Sequence, residues 1–127
     1  MRLCSSLWLP LFTLSVGLLA LLPVNAEERS RTNGELVAGE ADRSEVADKK
    51  MNAAYQKVLG ILDSDGKAAL REAQRKWLAW RDAQAEFDAH QLKGGKLWQM
   101  ELHGSTAGLT EQRTIQLQSD YKRFKDG

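Results

Sequence analysis

Two sets of polar and aromatic side chains recur at helical spacing in the middle of the chain. The first set is spaced i, i+4, i+7 and comprises Asp48, Asn52 and Tyr55. The second set is spaced i, i+3, i+7 and comprises Gln74, Trp77 and Arg81. A carboxylate can bind a guanidinium group through two hydrogen bonds, and a guanidinium group is attracted to an indole face. The sets predict either a binding surface or a partly buried polar network that fixes the register of two helices, and the network is preferred.

A second candidate site lies between two glycine breaks, in a segment with weak periodicity. The indole of Trp98 lies between the breaks, and the cations Lys93 and Lys96 lie on either side of the first one. Irregular segments carry recognition more often than regular elements do. These three residues are therefore candidate loop contacts for a partner, although a solvated connector is the preferred interpretation.

No residue pattern indicates catalysis, a metal or a cofactor. His90 and His103 are separated by a glycine break and belong to no recognised metal motif, and phosphate-binding glycine loops are absent from the sequence. The net charge of +1 gives no field that would attract nucleic acid. We predict a non-enzymatic protein without cofactors and without a nucleic-acid partner.

Helical elements must position the two sets. The first predicted helix begins at Asp42, which forms a capping box with Glu45, and it ends at the turn of residues 63–66. The second predicted helix ends at residues 93–96, and its apolar stripe is expected to face the core. That stripe comprises Leu70, Ala73, Trp77, Trp80, Ala83 and Phe87.

The third predicted helix begins at Thr110 as its N-cap, after a short helical turn at residues 97–102 that stops at Gly104. The fold class is therefore all-α: an antiparallel helical hairpin with a third, C-terminal helix packed across it. A hairpin centred between Ser64 and Asp65 places three pairs at similar height. The pairs are Asp48 with Arg81, Asn52 with Trp77, and Tyr55 with Gln74.

The N-terminus has the pattern of a secretory signal. Arg2 precedes an apolar run, and small residues stand at Val24 and Ala26, so cleavage is expected after Ala26. A retained membrane anchor is the alternative. Residues 1–26 are thus predicted as a cleaved signal peptide, 27–39 as a flexible lead-in and 40–127 as the helical domain. Removing Arg2 and Cys4 leaves a cysteine-free mature chain with equal numbers of acidic and basic residues, in the periplasm or outside the cell.

Three segments together resemble the lysozyme inhibitor LprI family of small exported bacterial proteins. They are residues 48–55 (DKKMNAAY), 70–82 (LREAQRKWLAWRD) and 109–117 (LTEQRTIQL), in the family's order and at compatible spacing. The resemblance adds Thr110 and Arg113 to the motif residues. The family name implies a binding protein with lysozyme as the partner. Cleavage of the signal leads us to expect no stable membrane insertion. The alternative is a structural or stress-related envelope protein that binds another partner or self-associates.

Overall fold

A computed structural model describes residues 32–126, and every regular element in this range is helical. Helix α1 spans Asn33–Ile61, α2 spans Ser64–Ala89 and α3 spans Trp98–Asp126, with a short 3-10 helix at His90–Leu92 before α3. The predicted all-α fold class is confirmed. The predicted signal peptide lies outside the described residues, and so does the start of the predicted lead-in.

Helix α1 begins well before the predicted position. The amide of Glu35 donates to the Thr32 hydroxyl oxygen at 3.3 Å, and the Thr32 amide donates to the Glu35 carboxylate at 2.8 Å, which is a complete capping box. The helix therefore starts at Asn33. The prediction of a box at Asp42 and of a flexible lead-in as far as residue 39 is wrong for residues 33–39.

The hairpin turn between α1 and α2 is tighter than predicted. The carboxylate of Asp63 accepts from the amide of Gly66 at 2.8 Å, so Asp63 caps α2 and residues 64–66 form the first turn of that helix. A Cβ on Gly66 would lie 3.0 Å from the Asp63 carboxylate and 3.2 Å from the Leu62 Cβ. Glycine thus permits the close approach that a two-residue connection requires.

Helix α3 runs without a break through Gly104, Gly108 and Thr110. The predicted stop at Gly104 and the predicted N-cap at Thr110 are both wrong, because the Thr110 hydroxyl donates to the Thr106 carbonyl at 2.8 Å inside the helix. A glycine inside a helix costs about 1 kcal/mol. Packing of α3 along α1 offsets this cost, and a Cβ on Gly104 would lie 3.3 Å from the Glu40 carboxylate of α1.

The core lies between α1 and α3, which run parallel to each other. The residue numbers of contacting pairs increase in the same direction along both helices: Glu40 lies beside Gly104, and Arg43 lies beside Glu111. Buried residues follow steps of three and four on each helix, as in a coiled-coil seam. They are Ser44, Ala47, Met51, Ala54 and Val58 on α1, and Ala107, Thr110, Arg113, Thr114 and Leu117 on α3. The chain is an up-down-up bundle in which α2 returns antiparallel.

Helix α2 turns a different face inward from the one predicted. Its buried residues are Gln74, Ala85 and Ala89, whereas Trp80 and Phe87 are 51% and 65% exposed. The expectation that Trp80 and Phe87 belong to the core is therefore wrong. The inward face instead presents small alanines and polar side chains that find hydrogen-bond partners on α1 and α3.

Candidate functional site

Arg81 connects the three helices from the inward face of α2. Its Nη1 donates to the Asp48 carboxylate of α1 at 2.9 Å and to the Thr110 hydroxyl of α3 at 3.3 Å. The neighbouring Asp82 accepts from its Nε at 2.9 Å and from its Nη2 at 2.8 Å. The side chain of Arg81 is 12% exposed and that of Asp48 is 43% exposed. The prediction that Asp48 and Arg81 lie at similar height in the hairpin is confirmed.

The indole of Trp77 lies between two guanidinium groups. The guanidinium carbon of Arg81 is 5.5 Å from the Trp77 ring centroid, and that of Arg113 is 5.7 Å from it. Each such cation–π contact contributes roughly 0.5–2 kcal/mol, with the larger value where water is excluded. Trp77 therefore joins α2 to α3 through Arg113, whereas its contact with Arg81 lies within α2.

Arg113 is a buried cation. Its Nε donates to the Gln74 side-chain carbonyl at 3.1 Å and its Nη1 to that of Gln116 at 2.6 Å, while the Gln74 amide donates to the Met51 sulfur at 3.3 Å. Burial lowers the pKa of Arg113, and the charge of Asp120 partly opposes that shift. The guanidinium group remains a cation, because arginine is not deprotonated in proteins.

Six of the eight predicted motif residues form one cluster, which we call the motif network. It contains Asp48, Gln74, Trp77, Arg81, Thr110 and Arg113. The other two lie elsewhere: Asn52 is exposed, and Tyr55 packs against the apolar core. Tyr55 and Gln74 are predicted to lie at similar height in the hairpin. Gln74 instead contacts Met51, which lies one turn earlier on α1 than Tyr55.

The predicted loop residues lie at the tight connection between α2 and α3. Lys93 and Lys96 are exposed on either side of Gly94, whose φ of 83° is a left-handed conformation that favours glycine. Trp98 is the first residue of α3 and is half-buried, and its indole N–H is enclosed without a hydrogen-bond partner among the described residues. The two lysines are thus available to a partner, and the indole N–H faces inward.

Sequence reasoning missed a second link between α1 and α3. Arg43 donates to the two carboxylate oxygens of Glu111 at 2.9 and 2.8 Å, across a separation of 68 positions. The hydrogen bond from Arg43 holds the pKa of Glu111 below its usual range, and the Glu111 carboxylate raises the pKa of Arg43. Local spacing could not reveal this pair, because its two residues become neighbours only when α1 and α3 pack in parallel.

The arrangement ties three helices together and leaves few of its polar groups free for chemistry. Each guanidinium group in the motif network has an intramolecular acceptor, and the buried hydroxyl of Thr110 both donates and accepts. Among residues 32–126 no group of three or more His, Cys, Asp or Glu side chains has the geometry to hold a metal ion. Within the same range no helix combines the length and apolar character needed to cross a membrane.

Comparison with known families decides the relationship. The profile of the family described as lysozyme inhibitor LprI matches residues 24–117, which include every residue of the motif network. The chain belongs to the lysozyme inhibitor LprI family. The resemblance drawn from the three motif segments is therefore confirmed, and the motif network gives this LprI-type signature a physical meaning as the junction of α1, α2 and α3.

A relative of this LprI-family chain has no assigned activity. An uncharacterized protein of Rhizobium meliloti (strain 1021) is 31% identical over 84 residues, which are 56% of this chain and 60% of that protein. The chain thus spans about three-fifths of that relative's length. No solved structure matches the chain.

Proposed function

We propose that this protein is an exported, non-enzymatic binding protein that inhibits lysozyme. The observation that carries the proposal is the match to the lysozyme inhibitor LprI family over residues 24–117. The leader pattern of residues 1–26 supports export to the periplasm or beyond the cell, where lysozyme acts on the cell wall. The partner is therefore a protein, and the activity is the blocking of an enzyme.

The motif network supports the fold in this proposal, and exposed side chains make the contact. Trp77 and Arg113 are held inside the bundle, and Arg81 is only 12% exposed, so none of them offers a free surface to a partner. Breaking a buried ion pair costs more than forming it contributes, which suits a register-setting role. The inhibitor's contacts must then come from the outer faces and from the connections between helices.

The positive charges of Lys93 and Lys96 are complementary to the carboxyl groups of a lysozyme cleft. The hydrolysis that lysozyme catalyses depends on two carboxyl groups flanking the scissile bond. An exposed cationic turn that enters such a cleft would pair with a carboxylate and exclude the substrate. Gly94 keeps this turn narrow, which favours insertion into a groove.

The experiment is a turbidity assay of cell-wall lysis with several lysozyme types. The protein is purified after expression of the full chain and titrated against each enzyme. We expect dose-dependent inhibition of at least one type, and about tenfold weaker inhibition by the Lys93→Ala/Lys96→Ala variant. Lys50→Ala/Lys57→Ala is the matched control, because it removes two exposed lysines from α1. Lysis that proceeds unchanged for every lysozyme at an excess of protein would refute the proposal.

A further inference from the structure

A cleft lies between the N-terminal part of α2 and the C-terminal part of α3, at the end of the bundle where α1 ends. Its volume is about 580 Å³, which is in the range of small-molecule sites in proteins. Its apolar lining comprises Val58, Leu62, Ala69, Leu70, Ala73 and Phe124. Ala69 and Ala73 are exposed, and their short side chains leave the space between α2 and α3 open. We call this space the end cleft.

Arg113 is the buried cation of the end cleft. It is 8% exposed, and its Nε and Nη1 donate to the neutral side-chain carbonyls of Gln74 and Gln116. Within residues 32–126 its Nη2 has no hydrogen-bond acceptor, and no carboxylate forms an ion pair with it. A buried charge ordinarily has an opposite charge beside it, because removing a charge from water is costly. Arg113 therefore remains a donor for an anion that enters the cleft.

The other charged side chains of the end cleft already have partners. Asp120 accepts from Arg123 at 2.8 Å, and Asp63 caps α2 by accepting from the Gly66 amide at 2.8 Å. The charge of Asp120 partly opposes the lowering of the Arg113 pKa, but Asp120 forms no hydrogen bond with Arg113. These two carboxylates also limit the charge of a ligand. A single negative charge beside Arg113 is attracted, whereas a dianion such as phosphate is repelled by both acids.

We propose that the end cleft binds a small amphiphilic monocarboxylate, whose carboxylate accepts from Arg113 and whose apolar chain lies on Val58, Leu62 and Leu70. A hydrogen bond between a guanidinium group and a carboxylate is among the strong ones in proteins, and the apolar floor removes the ligand's chain from water. A protein surface is too broad to reach a buried guanidinium group in this way, but a linear chain is not. This site goes beyond lysozyme inhibition and does not depend on it.

The experiment titrates the full chain with octanoate by calorimetry and by NMR. Octan-1-ol and octyltrimethylammonium have the same apolar chain with a neutral and a cationic head group, and acetate has the head group without the chain. We expect octanoate to bind at least about tenfold more tightly than each of the other three. The Arg113 Nε–H resonance should shift with octanoate alone, because this group lies beside the carboxylate site.

Matched variants place one extra charge inside and outside the end cleft. Ala73→Glu adds a carboxylate to the lining, and Ala79→Glu adds the same charge at an exposed position of α2 outside it. We expect about tenfold weaker octanoate binding for Ala73→Glu and a change within about twofold for Ala79→Glu. Both alanines are exposed, so circular dichroism should show that both variants remain folded. Arg113→Gln should remove the preference for octanoate over octan-1-ol.

Three outcomes would overturn the site. The first is octanoate at millimolar concentration that produces neither heat nor a shift of the Arg113 resonance. The second is equal affinity for octanoate and octan-1-ol, which would show apolar binding without a role for Arg113. The third is a dimer in light scattering that Ala73→Glu dissociates and octanoate does not, which would assign the cleft to a second copy of the chain. If Arg113→Gln fails to fold, the comparison of Ala73→Glu with Ala79→Glu decides. The turbidity assay tests lysozyme inhibition separately.

Discussion

The link between Asp48 and Arg81 should contribute measurably to stability, and unequally for its two partners. Replacing Arg81 with alanine removes a pair with the exposed Asp82, which contributes little, and three stronger interactions: the ion pair with Asp48, the hydrogen bond to Thr110 and the contact with the Trp77 ring. Each is worth about 1 kcal/mol at this degree of burial. We therefore expect Arg81→Ala to lower the free energy of unfolding by about 3 kcal/mol.

Asp48→Ala should cost less, about 1 kcal/mol. Its carboxylate is 43% exposed, and the Arg81 guanidinium group that remains keeps Thr110 and Asp82 as acceptors. The double variant should lose about 3 kcal/mol rather than the sum of the two single losses, because the ion pair is counted in both. The coupling energy of the cycle is then about 1 kcal/mol.

Urea unfolding followed by circular dichroism and tryptophan fluorescence measures all four proteins. Arg75→Ala is the matched control, because Arg75 pairs with Glu72 on the same helix, is 75% exposed and should contribute less than about 1 kcal/mol. Equal losses for the two single variants would contradict the network as described. Strict additivity in the double variant would remove the Asp48–Arg81 pair from the account of stability.

Two further predictions concern the α1–α3 link and the glycines. The folded-state pKa of Glu111 lies below its unfolded value of about 4.3, so its pairing with Arg43 should stabilise the protein above that pH and lose its effect as the pH falls through the folded pKa. Urea unfolding of Glu111→Gln should accordingly show a larger stability deficit at pH 7 than at pH 3, and an equal deficit at both would refute the assignment. Gly108→Ala should raise the free energy of unfolding by about 0.5–1 kcal/mol, because no atom lies within 4 Å of the added Cβ, whereas Gly94→Ala should lower it because of the 83° φ. Thermal denaturation measures whether each substitution raises or lowers the stability. A Gly94→Ala variant that is more stable than the original chain would contradict the turn geometry.

Helical spacing in the sequence predicts the helical class and one polar contact between α1 and α2. Asp48 and Arg81 were paired from helical spacing and a hairpin alone, and they lie 2.9 Å apart. The same approach misplaced the beginning of α1, because Asp42 and Glu45 imitate the capping box that Thr32 and Glu35 form. It also divided α3 at Gly104, since glycine propensity carries no information about a neighbouring helix that covers it.

The misassigned face of α2 has a different cause. Periodicity identifies residues that share a face, but it does not say whether a bundle or a partner covers that face. The inward face was decided by contacts that no local window contains: Arg81 with Asp48 across 33 positions and Arg113 with Gln74 across 39 positions. Once these polar side chains face α1 and α3, helical geometry requires Trp80 and Phe87 to face solvent. The motif network therefore holds the bundle together and, by the same contacts, turns Trp80 and Phe87 outward.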